Sequence, residues 1–260
     1  MTRPLAELSA AGIRGLFFDI DDTLTTEGRL TADAYAALER WKSAGKIAVA
    51  ITGRPAGWCD QIARLWPVDA VVGENGAFYF RYDRVQRRLE KRFLCAEAAR
   101  AANRSRLAAV SERIFAEVPG CALASDQLYR ETDLAIDYCE DVPALSLQDA
   151  EQIAALMRSA GMTARISSIH VNGWFGEYDK LGMTKILARE RLGFELDSAK
   201  DNLAFAGDSP NDSPMFAYFP KSVGVANVRR FDALLVSQPA YVTLGEAGTG
   251  FAELVAHLLG

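Results

Sequence analysis

The sequence predicts an α/β chain: a mostly parallel sheet flanked by helices, interrupted once by an inserted α+β unit. Three observations predict it. Short apolar runs alternate with amphipathic helical stretches near both ends of the chain. Most of these runs end in a polar or acidic cluster. The alternation breaks between about residue 81 and residue 174 and then resumes.

Leu16-Phe17-Phe18 reads as the end of a buried parallel strand, because a strand covered on both faces is continuously apolar. Thr31 can cap a helix that carries Ala34, Leu38 and Trp41 on one face and ends near Gly45. Ile47–Ile51 forms a second strand and runs into Thr52-Gly53-Arg54. Pro55 can open the next helix, with Trp58, Ile62 and Leu65 on its inner side and Pro67 as the stop. Ala70-Val71-Val72 is a third strand. The insert holds a long helix from Ala96 to Glu117, a strand from Leu134 to Cys139, a helix capped by Ser146, and two strands within Thr163–Val171. Past Gly176 come a helix from Asp179 to Leu192, the strand Leu203–Ala206 and a Gly-Asp turn with a short helix. The strand Ser222–Val225 and a helix ending at Leu259 complete the pattern. The boundaries expected are a core of 1–80 and 175–260 and a cap of 81–174.

Composition narrows the classes of function. The 260 residues are half hydrophobic with a net charge of −5, which argues against a nucleic-acid partner that would want a basic face. The basic run from Arg81 to Arg92 is broken by Asp83 and Glu90 and reads as a solvated loop or sheet edge. No apolar stretch is long enough to span a membrane, and the first residues lack the apolar segment of a secretory signal. Cys59, Cys95, Cys121 and Cys139 form no C-x-x-C pair and have only His170 and His257 as nitrogen partners, so a zinc site is not expected. Reduced, buried thiols and a cytoplasmic location are expected instead.

Ligands of open α/β sheets bind beyond the carboxyl ends of the strands. Three polar clusters fall there: Asp19-Ile20-Asp21-Asp22-Thr23, Thr52-Gly53-Arg54, and Gly207-Asp208-Ser209-Pro210-Asn211-Asp212. Lys180 opens the helix where the core resumes. Carboxylates, a hydroxyl and an ammonium in one crevice suit phosphoryl transfer. The hard oxygens of Asp19 and Asp208, with a backbone carbonyl, match the preference of Mg²⁺. A carboxylate nucleophile can form an aspartyl-phosphate, and Asp21 can protonate a leaving alkoxide. Thr52 and the backbone beside Gly53 can meet the phosphate, and Lys180 can neutralise charge.

Phe18-Asp19-Ile20-Asp21-Asp22-Thr23-Leu24-Thr25, Ile51-Thr52-Gly53-Arg54, Lys180 and Gly207–Asp212 resemble, in order, the four motifs of the haloacid dehalogenase-like phosphatases. The cap falls between the second and third motifs, as in the branch with Cof-type, sucrose-phosphate, trehalose-phosphate and mannosyl-phosphoglycerate phosphatases; Gly73-Glu74-Asn75-Gly76-Ala77 is similar to that branch too. The resemblance implies a Rossmann-like core, Asp19 as nucleophile, Asp21 as acid/base, and Mg²⁺ held by Asp19, Asp208 and the Asp21 carbonyl. It further implies Thr52 and Lys180 on the phosphate, with Asn211 and Asp212 supporting them. The third motif departs from the usual Lys-Gly, reading Asp179-Lys180-Leu181-Gly182, which leaves Lys185 as the alternative lysine.

Taken singly, each of these residues has a plainer role. An Asp-x-Asp can cap a helix, Thr52-Gly53-Arg54 can be a capped turn, and Asp22 reads as a turn residue. Order and number favour the catalytic assignment. Arg54 can pair with a cap carboxylate or help hold substrate; Asn75 and His170 are candidates for substrate contacts, as are Arg130, Asp133, Asp137, Arg165 and Asn172 in the cap, while Trp174-Phe175 reads as hinge packing. The expected substrate is a small phosphorylated metabolite, a phosphosugar or sugar-acid phosphate. The rival expectations are a phosphomannomutase-like phosphosugar mutase and a non-catalytic ligand-binding regulator.

Overall fold

A computed structural model describes residues 2–260. The chain begins with β1 (Arg3–Pro4), β2 (Gly15–Phe18), α1 (Ala32–Ser43), β3 (Ile47–Ile51), α2 (Ala56–Leu65), β4 (Ala70–Gly73), β5 (Phe78–Asp83) and β6 (Arg88–Phe93). It continues through α3 (Glu97–Glu117), β7 (Ala122–Leu123), β8 (Asp133–Asp137), α4 (Leu147–Ser159), β9 (Thr163–Ile166) and β10 (His170–Trp174). The last part holds α5 (Lys180–Leu187), α6 (Leu196–Ala199), β11 (Leu203–Gly207), α7 (Ser213–Tyr218), β12 (Ser222–Gly224), β13 (Tyr241–Val242) and α8 (Ala247–Leu259).

Nine strands form one sheet in the order β1-β13-β12-β11-β2-β3-β4-β5-β6. All neighbours from β1 to β4 are parallel, and β5 and β6 add an antiparallel hairpin at the edge. Strand side chains alternate between two buried faces. Leu16 and Phe18 of β2, with Ala48 and Ala50 of β3, pack toward Trp41 of α1 and Phe251 of α8. Phe17, Val49 and Ile51 pack toward Met183 and Leu187 of α5 and Phe216 and Phe219 beyond. Both faces are apolar because helices cover both, as the continuous runs in the sequence imply.

The four strands of the second sheet, β7-β8-β10-β9, are antiparallel and carry α3 and α4 on one face around Ile114, Ile136, Ile153 and Met157. The α/β class and the inserted α+β unit are therefore both present. Two expectations need correction. The boundary at residue 81 falls inside β5, and the hairpin over 78–93 belongs to the large sheet, so the elements of the insert begin with α3. The charges of β6 concealed it, yet an edge strand tolerates them, and its basic residues are largely solvated as the edge reading implies. In α2, Cys59, Ile62 and Ala63 face the core, whereas Leu65 is exposed and Trp58 lies over the Arg54 guanidinium at 4.3 Å.

Helix ends follow local chemistry. Thr31 accepts a bond from the Ala34 amide, and Asp179 accepts one from Gly182, which fixes the start of α5 and so the base of Lys180. Gly76 has φ +106°, and a Cβ there would meet the Asp179 carbonyl oxygen at 2.0 Å. Only glycine lets this turn lie against the start of α5. None of the four cysteines is in a disulfide; Cys59 is buried and the other three are half-buried. Among the described residues, no helix is long and apolar enough to cross a membrane.

Candidate active site

The parallel topology brings β2, β3 and β11 side by side, so Asp19, Thr52 and Asp208, each one residue beyond its strand, share one edge. Lys180 reaches them from α5. Its Nζ donates to Asp19 Oδ1 at 2.6 Å and to Asp212 Oδ1 at 2.7 Å, and all three groups are buried. Lys185, the alternative, is half exposed and pairs with Asp197 at 3.0 Å, away from the cluster.

Carboxylate oxygens of Asp19, Asp208 and Asp212 lie within 4.8 Å of one another. Burial pushes the Asp19 carboxyl well above its usual range; Lys180 opposes this, while Asp212 and Asp21 reinforce it. Burial, then the charges of Asp19 and Asp212, drive Asp208 up in the same way. Burial alone would lower the Lys180 ammonium, but Asp19 and Asp212 overcome that and raise it above its ordinary value.

One ammonium thus faces three buried carboxylates, and among the described residues Asp208 has no cationic partner. Its contacts are neutral: Asn227 Nδ2 at 3.2 Å and the Thr23 hydroxyl at 3.5 Å. Asp212 is fully used, since its Oδ2 accepts the Asp208 amide at 3.1 Å and its Oδ1 takes Lys180. Among the described residues, no protein group bonds Asp19 Oδ2. This all-oxygen donor set with a deficit of positive charge fits a small divalent cation.

Asp21 stands beside the cluster rather than in it. Its Oδ1 accepts from Arg54 Nε at 2.8 Å, and its Oδ2 lies 3.5 Å from the Thr52 hydroxyl. Thr52 Oγ1 in turn accepts the Arg54 amide at 2.9 Å, closing the turn after β3. Asp22 has φ +52°, in keeping with a turn residue, and its carbonyl accepts from Asn227.

A narrow cavity of about 10 Å³ lies between Asp19, Asp21, Gly53 and Asn211 of the core and the 167–172 stretch of the cap, including His170 and Asn172. Beyond Asp21 and Arg54 it meets a wider hollow of about 520 Å³ that also reaches Glu140 and Arg230. A further hollow of about 480 Å³, near Leu94 and Ile186, holds none of the strand-end carboxylates.

The cap residues named from sequence divide. Asn172 Nδ2 donates to Asp133 Oδ2 at 3.0 Å, and Arg130 donates to Asp133 and to the Gly53 carbonyl at 2.8 Å, so these three tie cap to core. Asp137 accepts the amides of Cys139, Glu140 and Asp141 and shapes that loop. Arg165 lines other hollows, away from the strand-end carboxylates. Trp174 stacks on Tyr178 at 5.2 Å, as hinge packing would. Asn75 is buried against Gly53 with φ +54°, and among the described residues its side-chain amide has no hydrogen-bond partner.

Three residues went unnoticed in the sequence. Asn227 holds both Asp208 and the Asp22 carbonyl; it follows β12, and the strand-end rule that found the others would have found it. Asp126 and Glu140 gave no such signal, because their partner Arg54 lies across the seam between the two sheets. Glu74, quoted only as part of a resembling stretch, directly follows β4, and its role at that seam was not read.

A buried acidic edge, a lysine on it and a cap above it define a capped protein of the Rossmann-like kind with a polar site at its strand ends. The family profile described as haloacid dehalogenase-like hydrolase matches residues 13–219, and the chain belongs to that family. Among solved structures it is similar to protein 0175 of Thermoplasma acidophilum, with TM-score 0.70 and 19% identity over 95% of this chain and 98% of that one. It is also similar to a subclass IIB sugar phosphatase of the same superfamily, with TM-score 0.61 and 16% identity over 94% of this chain and 98% of that one. The sucrose-phosphatase of Synechocystis, solved with sucrose and phosphate, gives TM-score 0.61 and 15% identity over 95% and 98% of the two chains. No curated protein sequence matches the chain.

Proposed function

We propose that the protein is a Mg²⁺-dependent phosphatase that hydrolyses a small phosphorylated metabolite, a phosphosugar or sugar-acid phosphate, through an aspartyl-phosphate on Asp19. The observation that carries this reading is the placement of Asp19: bonded to Lys180, beside Asp208, and facing the same cavity as Asp21. A sugar phosphatase and a sucrose-phosphatase among similar folds support the substrate class by analogy of fold.

In this reading Asp19 attacks phosphorus and the bond to the leaving oxygen breaks. Asp21 gives that oxygen its proton, then takes one from the water that attacks the aspartyl-phosphate, which frees phosphate and restores Asp19. Lys180 offsets the negative charge that gathers on the phosphoryl group, and Thr52, the Gly53 backbone and Asn211 hold its oxygens. Asp19, Asp208 and the Asp21 carbonyl would hold Mg²⁺, which supplies further charge neutralisation when bound. Asp212 keeps Lys180 aimed at Asp19, and the cap excludes bulk water.

The test is phosphate release from phosphosugars, sugar-acid phosphates and nucleotides, with Mg²⁺ and with EDTA. Mg²⁺-dependent release from a narrow group is expected, with Asp19→Asn folded and inactive. Full activity in Asp19→Asn or in EDTA would sink the reading. Transfer between sugars without free phosphate would replace it with a mutase, and Mg²⁺-dependent ligand binding without any turnover with a regulator.

A further inference from the structure

We propose that Glu140 of the cap is a positioning residue that acts through Arg54 on Asp21, so that the acid/base is in place only when the cap lies over the core. The inference rests on the assignment of Asp21 as acid/base. Arg54 follows β3 in the core, yet most of its guanidinium is held by the cap. Nε donates to Asp21 Oδ1 at 2.8 Å; NH1 reaches Glu140 Oε2 at 3.2 Å and Asp126 Oδ2 at 3.3 Å; NH2 reaches Glu140 Oε1 at 2.5 Å. A guanidinium is a rigid planar fork, so whatever fixes NH1 and NH2 also fixes the direction of Nε–H. Glu140 grips two of its three nitrogens. Only 3% of the Arg54 side chain is exposed, and Trp58 covers one face, which leaves little room for another pose.

Glu140 is itself braced. Asp137, at the end of β8, accepts the Glu140 amide at 2.8 Å, and His170 Nε2 of the adjacent β10 lies 2.9 Å from Glu140 Oε2. The β8–β10 register sets His170 opposite Asp137, so one pair of cap strands fixes both braces. Burial would raise the Glu140 carboxyl, but nearby His170 and the bonds and charge of Arg54 bring it down to about 2. Glu140 therefore stays ionised, and its hold on Arg54 persists across the working range of pH. It touches neither Asp19 nor Asp208.

The experiment exploits leaving-group chemistry. An alkyl phosphate needs a proton on its leaving oxygen, whereas p-nitrophenyl phosphate leaves without one. Values of kcat/KM report events through departure of that group. Glu140→Gln should lower kcat/KM for an alkyl phosphate substrate by roughly tenfold to a hundredfold, the scale of a misplaced catalytic group. The loss with p-nitrophenyl phosphate should be several-fold smaller. In an Asp21→Asn background the same substitution should do almost nothing further, since the two act as one unit. Equal losses on both substrates, or additivity with Asp21→Asn, would mean a merely structural role. A rise in KM alone would mean that Glu140 reads the substrate, and either result overturns the proposal. If Asp21→Asn shows no preference for the good leaving group, the acid/base assignment is what fails. Asp126→Asn, which removes the other cap carboxylate from Arg54, should repeat the pattern more weakly, and it serves as the test should Glu140→Gln not fold.

Discussion

At the scale of single residues the site is a problem of unbalanced charge. Lys180 answers Asp19 and Asp212, and Asp208 is left with an amide and a hydroxyl. A divalent cation bound only by the folded chain stabilises it by mass action, about 2.7 kcal/mol at a hundredfold excess over Kd. Mg²⁺ should therefore raise Tm by several degrees over EDTA, at ~2–4 °C per kcal/mol for a chain of this size. Asp208→Asn should lose that response and, in EDTA, melt no lower than the parent, because the substitution removes a buried charge without a partner. Differential scanning calorimetry checks both, and a full Mg²⁺ response in the variant would exclude Asp208 as a ligand. Asp19, Thr52 and Asp208 were legible because each is polar directly after an apolar run, and that contrast survives in one dimension. Lys180 was legible only through motif order. Its separation from Lys185 needed α5 to be built, since both are ordinary helix lysines until one of them meets carboxylates.

Elements show the opposite balance. The central parallel strands β2, β3, β4, β11 and β12 and their helices could be read from apolar period, since their sequence pattern is their packing pattern; the two-residue strands β1 and β13 were too short to show any period. The hairpin β5–β6 could not be read so, because its outer strand has water on one side and carries charges a buried strand would exclude. The seam between the sheets was legible only at Arg54, for which a cap carboxylate was one of two expected partners; which carboxylates answer it was hidden, since ionic groups carry no period. Glu74 follows β4 and accepts the amides of Ala56 in the core and of Glu131 and Thr132 in the cap. Burial first, then the charge of Asp133, raises its carboxyl from 4.5 to about 7. A folded-state value above the unfolded one means that the native chain binds the proton more tightly. The associated stability is complete below about pH 4.5 and is lost as pH rises through about 7. A shift of this size corresponds to on the order of 3 kcal/mol. Glu74→Gln cannot ionise, so the stability advantage of the parent over this variant should shrink by on the order of 2–3 kcal/mol from about pH 5 to about pH 8. Urea unfolding at the two values measures it, and an advantage that grows with pH would contradict the assignment.

For the whole molecule, the same seam must both close and open. The cavity at Asp19 is small and roofed by the 167–172 stretch, so release of phosphate is expected to involve motion of the cap away from the core. An apolar seam would resist that motion. Here the contacts are Arg54 with Glu140 and Asp126, Arg130 with the Gly53 carbonyl, and Glu74 with the 131–132 amides, all of which water can replace once the seam parts. Each sheet meanwhile keeps its own apolar core, so the seam can open without unfolding either. The amides of Glu131 and Thr132 should therefore exchange with solvent hydrogen together, faster than the central amides of β2, β11 and β8. Inorganic phosphate with Mg²⁺ should slow that group, because a ligand in the cavity favours the closed arrangement, while β11 and β8 stay as they were. Native-state hydrogen exchange resolved by residue reads all of these sites at once. Seam amides protected as strongly as strand interiors, or unmoved by phosphate, would mean that cap and core do not part and that product takes another route.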